Sequence, residues 1–123
     1  MEQNNAIYRE QSLLVQELAE KSDCVIVGRS ADYILRDKNP LRLFIYADME
    51  SRMERCRKRA PEQEHFTDKE LRRHIQDVDK RRSKYYQFFT GQTWGEKLNY
   101  DLCINTSGAN IEDLVKVIAK LVK

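Results

Sequence analysis

Hydrophobic residues along this chain alternate between short continuous runs and helical spacing, the pattern of buried parallel strands joined by helices. Three runs predict strands: CVIV at Cys24–Val27, LRLFIYA at Leu41–Ala47 and LCIN at Leu102–Asn105. Ahead of the first, Ile7, Leu14 and Leu18 give a helix an apolar face. Met49–Arg59 reads as a short basic helix, and Ile111, Leu114, Val115, Ile118 and Val122 mark a last one, with Asn110 as its N-cap. The longest helix runs from Asp68 to Phe89, with Leu71, Ile75, Val78, Tyr85 and Phe89 on one stripe. A loop at Ala60–Thr67, containing Pro61, separates the two basic helices. No repeat, low-complexity segment or linker is visible, so residues 1–123 predict one α/β domain with a parallel sheet and flanking helices.

Arg82 interrupts the apolar stripe of the long helix. A cation there needs a carboxylate, a ligand or water, because an unpaired buried charge is costly. Asp79, three residues earlier, is the nearest carboxylate. The pair is either a local salt bridge at the rim of the core or part of a binding site. At the end of CVIV, Gly28 and Arg29 form a glycine–cation pair where α/β proteins bind ligands, and it suits an anion such as phosphate.

Net charge is only +2, which gives no global affinity for polyanions. Its distribution matters more. Ser51–Lys84 carries twelve Lys or Arg against seven Asp or Glu, so the middle of the chain predicts a local basic surface. Arg52–Arg59 within it, RMERCRKR, reads as a solvated helix face or a nucleic-acid patch. Cys24, Cys56 and Cys103 show no CxxC spacing, which points away from a zinc site or a disulfide framework; Cys24 and Cys103 read as small core residues. Tyr85, Tyr86, Phe88, Phe89 and Trp94 read first as core and second as base-stacking surfaces. His65 and His74 have no matching ligand set, so no metal is expected. No apolar run approaches the roughly twenty residues of a membrane span, and MEQNNAIYRE lacks a signal peptide's apolar core, so a cytoplasmic protein without membrane partners is expected.

Taken in order, CVIVGRSADYIL, LRLFIYADMESRMER, DVDKRRSKYY with TGQTWG, and YDLCINTSG resemble the cytidylate kinase-like family, related to P-loop nucleoside monophosphate kinases. The likeness runs from about Gln11 to the C-terminus. It implies that Arg29, Asp79 and Arg82 contact an acceptor nucleotide and that Arg52 and Arg55 are candidate phosphate-stabilising groups. Two departures accompany it. Ser30 stands where related bacterial cytidylate kinases carry aspartate, and Ile75 where an arginine precedes the D-x-x-R. No G-x-x-x-x-G-K-[ST] loop occurs in these 123 residues, and Gly28, Gly91, Gly95 and Gly108 are isolated.

The resemblance therefore implies a truncated P-loop nucleoside monophosphate kinase-like fold lacking the first strand and P-loop. Residues 1–123 would be the C-terminal part of such a domain, with residues 49–90 a lid-like basic helical region. The complete form would transfer the γ-phosphoryl of ATP·Mg²⁺ to a nucleoside monophosphate such as (d)CMP. This chain alone is expected to be inactive, to bind ATP and Mg²⁺ poorly, and to self-associate through an exposed strand edge. The alternatives are a non-catalytic nucleotide-binding or regulatory remnant and, behind it, a small nucleic-acid-binding protein.

Overall fold

The computed structural model describes residues 2–59 and 65–122. Residues 60–64, most of the expected Ala60–Thr67 loop, lie outside the described residues. In chain order come α1 (Glu2–Lys21), α2 (Ala31–Ile34), a 3₁₀ turn (Arg36–Lys38), β1 (Leu43–Tyr46), α3 (Met49–Arg59), α4 (Asp68–Thr90), a second 3₁₀ turn (Lys97–Asn99), β2 (Leu102–Asn105) and α5 (Ile111–Ala119). β1 and β2 pair in parallel, from Leu43 opposite Leu102 to Tyr46 opposite Asn105. The result is an α/β arrangement of a two-stranded parallel sheet with flanking helices.

Local chemistry fixes the helix that matters most. At the start of α4 the Thr67 hydroxyl accepts from Glu70 N–H while the Glu70 carboxylate accepts from Thr67 N–H, each at 3.1 Å, a reciprocal capping box. Gly91 ends the helix in the left-handed conformation, its N–H donating to the Gln87 carbonyl at 2.8 Å. Along α4, Leu71 and Ile75 are buried as the stripe predicts, but its C-terminal end inters Tyr86 and Thr90 in place of Tyr85 and Phe89. Tyr85 and Phe89 instead meet Tyr8 of α1, Phe89 stacked on it at 4.2 Å between ring centroids.

The core is split. Val15, Ala31 and Leu35 form one buried cluster between α1 and α2; Met53, Leu71 and Ile75 form another that joins α3 to α4, with Met49, Cys56 and Phe66 packed against it. Much of the sequence's apolar surface stays outside both. Ile7, Leu14 and Leu18 of α1 and Ile111, Val115 and Val122 at the C-terminal end are exposed, although their spacing predicts burial.

The expected strand at Cys24–Val27 is not one. Among the described residues it makes no ladder hydrogen bond, and Val25 and Val27 are 94% and 87% exposed. A strand exists only when a neighbour takes its N–H and C=O groups, and among the described residues this segment has none. Cys24 and Cys103, expected in the core, are exposed, Cys24 in the unpaired segment and Cys103 on β2, where three of the four strand residues are exposed.

At the other end of the sheet Asp101 holds the strands in register. Its carboxylate accepts from Arg42 N–H at 2.6 Å and pairs with the Arg42 guanidinium at 3.4 Å, while its own N–H donates to the Arg42 carbonyl at 2.8 Å. The Arg42 backbone and side chain hold this carboxyl below the ordinary carboxylate range. A depressed folded value contributes stability above the unfolded value of about 4, and that contribution is lost as pH falls through the folded value. Asp101→Asn should therefore be less stable than wild type at neutral pH, with the gap closing in acid; denaturant midpoints across that range check it, and a gap that persists at the lowest pH would contradict it.

Candidate functional site

A cleft of about 320 Å³ opens beyond the carboxyl ends of β1 and β2, where ligands bind in parallel α/β sheets. Its floor is Tyr46 at the end of β1, Ala47 after it and Thr106 after β2; its walls bring Arg52 and Arg55 from α3, Asp79 and Arg82 from α4, and Phe44 and Trp94. The three-residue spacing of each helical pair puts its members on one face. Three arginines against one aspartate make the cleft electropositive.

Each arginine is differently employed. Arg52 makes a two-pronged ion pair with Asp79, both N–O distances 2.7 Å, with the two side chains about seven-tenths buried. That hydrogen bonding holds the Arg52 guanidinium above its usual value, so the group is permanently cationic. Arg55 donates to the Thr106 hydroxyl at 2.9 Å and to the Thr106 carbonyl at 2.6 Å, and the Thr106 hydroxyl in turn donates to the Tyr46 carbonyl at 3.1 Å. Arg82 lines the cleft without an ion-pair or hydrogen-bond partner among the described residues and is exposed. It is the guanidinium best placed to meet an incoming anion.

The start of α3 is fixed so that these groups converge. Asp48 accepts from Ser51 N–H at 2.7 Å, capping the helix, and its own N–H donates to the Ser107 hydroxyl at 2.7 Å, tying α3 to the loop after β2. The Ser51 N–H also holds the Asp48 carboxyl below its ordinary value. At the far end of α3, Arg57 donates to Asp68 at 2.7 Å, so α3 and α4 are linked at both ends of their contact.

Two sequence expectations change. Asp79 does not pair with Arg82 three residues away; it pairs with Arg52 from the neighbouring helix, whose guanidinium fork matches both carboxylate oxygens. Arg29 does not line this cleft. It sits in a run of three left-handed residues, Gly28, Arg29 and Ser30 with φ of 73°, 59° and 53°, that turns the chain into α2. The exposed Arg29 side chain contrasts with Ser30, which is buried and whose hydroxyl has no partner among the described residues.

Sequence reasoning placed Trp94 among the aromatics read first as core; it stands in the cleft wall, edge to face with Phe44 at 5.3 Å between centroids. The loop that carries it rests on a polar network. The Tyr86 hydroxyl lies 2.7 Å from the Asp32 carboxylate and 2.8 Å from Gln92 Oε1, and burial together with that carboxylate pushes the phenol well above its ordinary value, so it stays a donor. A second hollow, of about 460 Å³, lies beside His74, Asp77, Lys80, Arg81 and Lys84 on the outer side of α4 and draws on one helix only.

Comparison with known proteins bears on this cleft. A family model described as the cytidylate kinase-like family matches residues 1–108. The crystal structure of an uncharacterized protein from Eubacterium ventriosum ATCC 27560 superposes with a TM-score of 0.83 at 30% identity, over 94% of this chain and 64% of that one. The chain thus spans less than two thirds of that neighbour's length. No curated protein matches. No helix among the described residues is long and apolar enough to cross a membrane.

Proposed function

The chain belongs to the cytidylate kinase-like family, and from that premise we propose that the cleft beyond β1 and β2 binds a nucleoside monophosphate as phosphoryl acceptor. The observation that carries this is convergence: Arg52, Arg55, Asp79 and Arg82, from two helices, meet in one cleft at the carboxyl end of a parallel sheet. The arginines neutralise phosphate oxygens, and Asp79 offers the hydrogen-bond acceptor that arginines lack. Arg29 is outside this assignment because it does not reach the lining.

For the transfer itself, the donor ATP·Mg²⁺ requires a backbone cradle, a lysine and a hydroxyl that these 123 residues do not contain as a G-x-x-x-x-G-K-[ST] loop. In this proposal the donor site belongs to a longer form, and the 123-residue chain binds acceptor without turning it over. A second reading is a protein that binds nucleotide without catalysing; both share the acceptor cleft.

Calorimetric titration tests the shared part. CMP should bind wild type, cytidine without its phosphate should bind far more weakly, and Arg82→Ala should lose about 5- to 150-fold in CMP affinity, the equivalent of one charge-assisted hydrogen bond at about 1–3 kcal/mol. Absence of CMP binding at millimolar concentration, or binding indifferent to Arg82, would overturn the assignment.

A further inference from the structure

We propose that the indole of Trp94 is the wall on which this cleft stacks a nucleobase, an inference that rests on the nucleotide reading above and names which part of the ligand the cleft holds by its rings. Phe44 and Trp94 line the same cleft as the three arginines, so an aromatic surface and a cationic one face a common space. The two rings meet at 81°, and a perpendicular pair leaves at least one indole face free of the other ring. Among the described residues no further ring packs on Trp94.

The wall is also tied to its surroundings. Gly95 adopts φ +84°, a conformation that L side chains rarely take, and a Cβ there would lie 3.2 Å from Phe44 Cζ, a tight contact. Gly95 N–H donates to the Tyr100 hydroxyl at 3.3 Å, and the Tyr100 ring packs on Phe44 at 5.0 Å. Gln92, two residues before Trp94, has its Oε1 2.8 Å from the Tyr86 hydroxyl, whose single proton it shares with the Asp32 carboxylate at 2.7 Å. A surface fixed before binding loses little freedom when a ring settles on it. Stacking is tolerant of base identity because every base has a π-face. The ligand class is therefore a base-bearing monophosphate, purine or pyrimidine, in preference to a bare sugar phosphate.

Trp94 is the single tryptophan of the chain, so its fluorescence reports on this wall alone. Titrations would use CMP, AMP and ribose 5-phosphate, followed by fluorescence for wild type and by calorimetry for wild type, Trp94→Ala and Trp94→Phe. Expected are quenching by both nucleotides and nucleotide affinity at least about tenfold above that of ribose 5-phosphate. Trp94→Ala should erase that advantage while leaving ribose 5-phosphate affinity unchanged, and Trp94→Phe should keep most of it. If nucleotides bind wild type no tighter than ribose 5-phosphate, or if Trp94→Ala weakens all three ligands equally, stacking is refuted while the anion cleft stands. If none of the three binds, both readings fall.

Discussion

Leu71→Ala is expected to lower the free energy of unfolding by about 2–5 kcal/mol, the usual cost of emptying a closed core position. Leu71 is the one described side chain with no exposed surface, and it sits between Met53 and Ile75 in the cluster that joins α3 to α4. The consequence reaches the cleft, because Arg52 and Arg55 ride on α3 while Asp79 and Arg82 ride on α4. Urea unfolding of wild type and variant, with the slope unchanged, measures the loss. A change below about 1 kcal/mol, under the range for such substitutions, would mean that the helix pair is held together by something other than this cluster.

The second large effect concerns charge in the cleft, and its test is one of sign. Arg52→Ala removes one cation and leaves Asp79 unpaired, so the described lining passes from three arginines and one aspartate to two and one. With an effective dielectric of about 20, a unit charge about 6 Å from a phosphate is worth about 3 kcal/mol before salt screening. Monophosphate affinity should fall by at least about tenfold, equivalent to about 1.4 kcal/mol. Asp79→Asn does the opposite: it keeps the shape, cancels the negative charge and frees Arg52 from its two-pronged pair. Inorganic phosphate should then bind as tightly as before or more tightly, while preference among bases weakens because the charged acceptor is gone. Parallel losses in both variants would show that the pair supports the structure and does not govern anion binding.

Much of this was legible in the residues. The bounds of α3 and β2, the cap at Asn110 and the extent of α4 followed from periodicity and capping chemistry, which are local and carry their signal in the chain itself. The i, i+3 spacing also placed Asp79 with Arg82 on a common face, and the structure brings both to one cleft with Arg52 and Arg55, which the family resemblance singled out. Partner choice was not legible. The carboxylate of Asp79 takes an arginine twenty-seven residues away over one three residues away, because bidentate geometry depends on how two helices cross. CVIV shows the other limit: a buried-type run states what neighbour it requires, and it cannot state whether that neighbour lies beside it. Trp94 lies in a loop, where no period exists to show which way a ring faces.

The central claim is that one cleft, at the carboxyl ends of β1 and β2, takes a nucleoside monophosphate. Amide and side-chain NMR of the ¹⁵N-labelled chain during titration with CMP tests it most directly. The account predicts shifts that saturate and concentrate at Phe44–Ala47, Arg52, Arg55, Asp79, Arg82, Trp94 and Thr106, with the arginine Nε and tryptophan indole signals moving furthest. Shifts centred instead on the outer side of α4, at His74, Lys80, Arg81 and Lys84, or no saturable shift at any site, would contradict it.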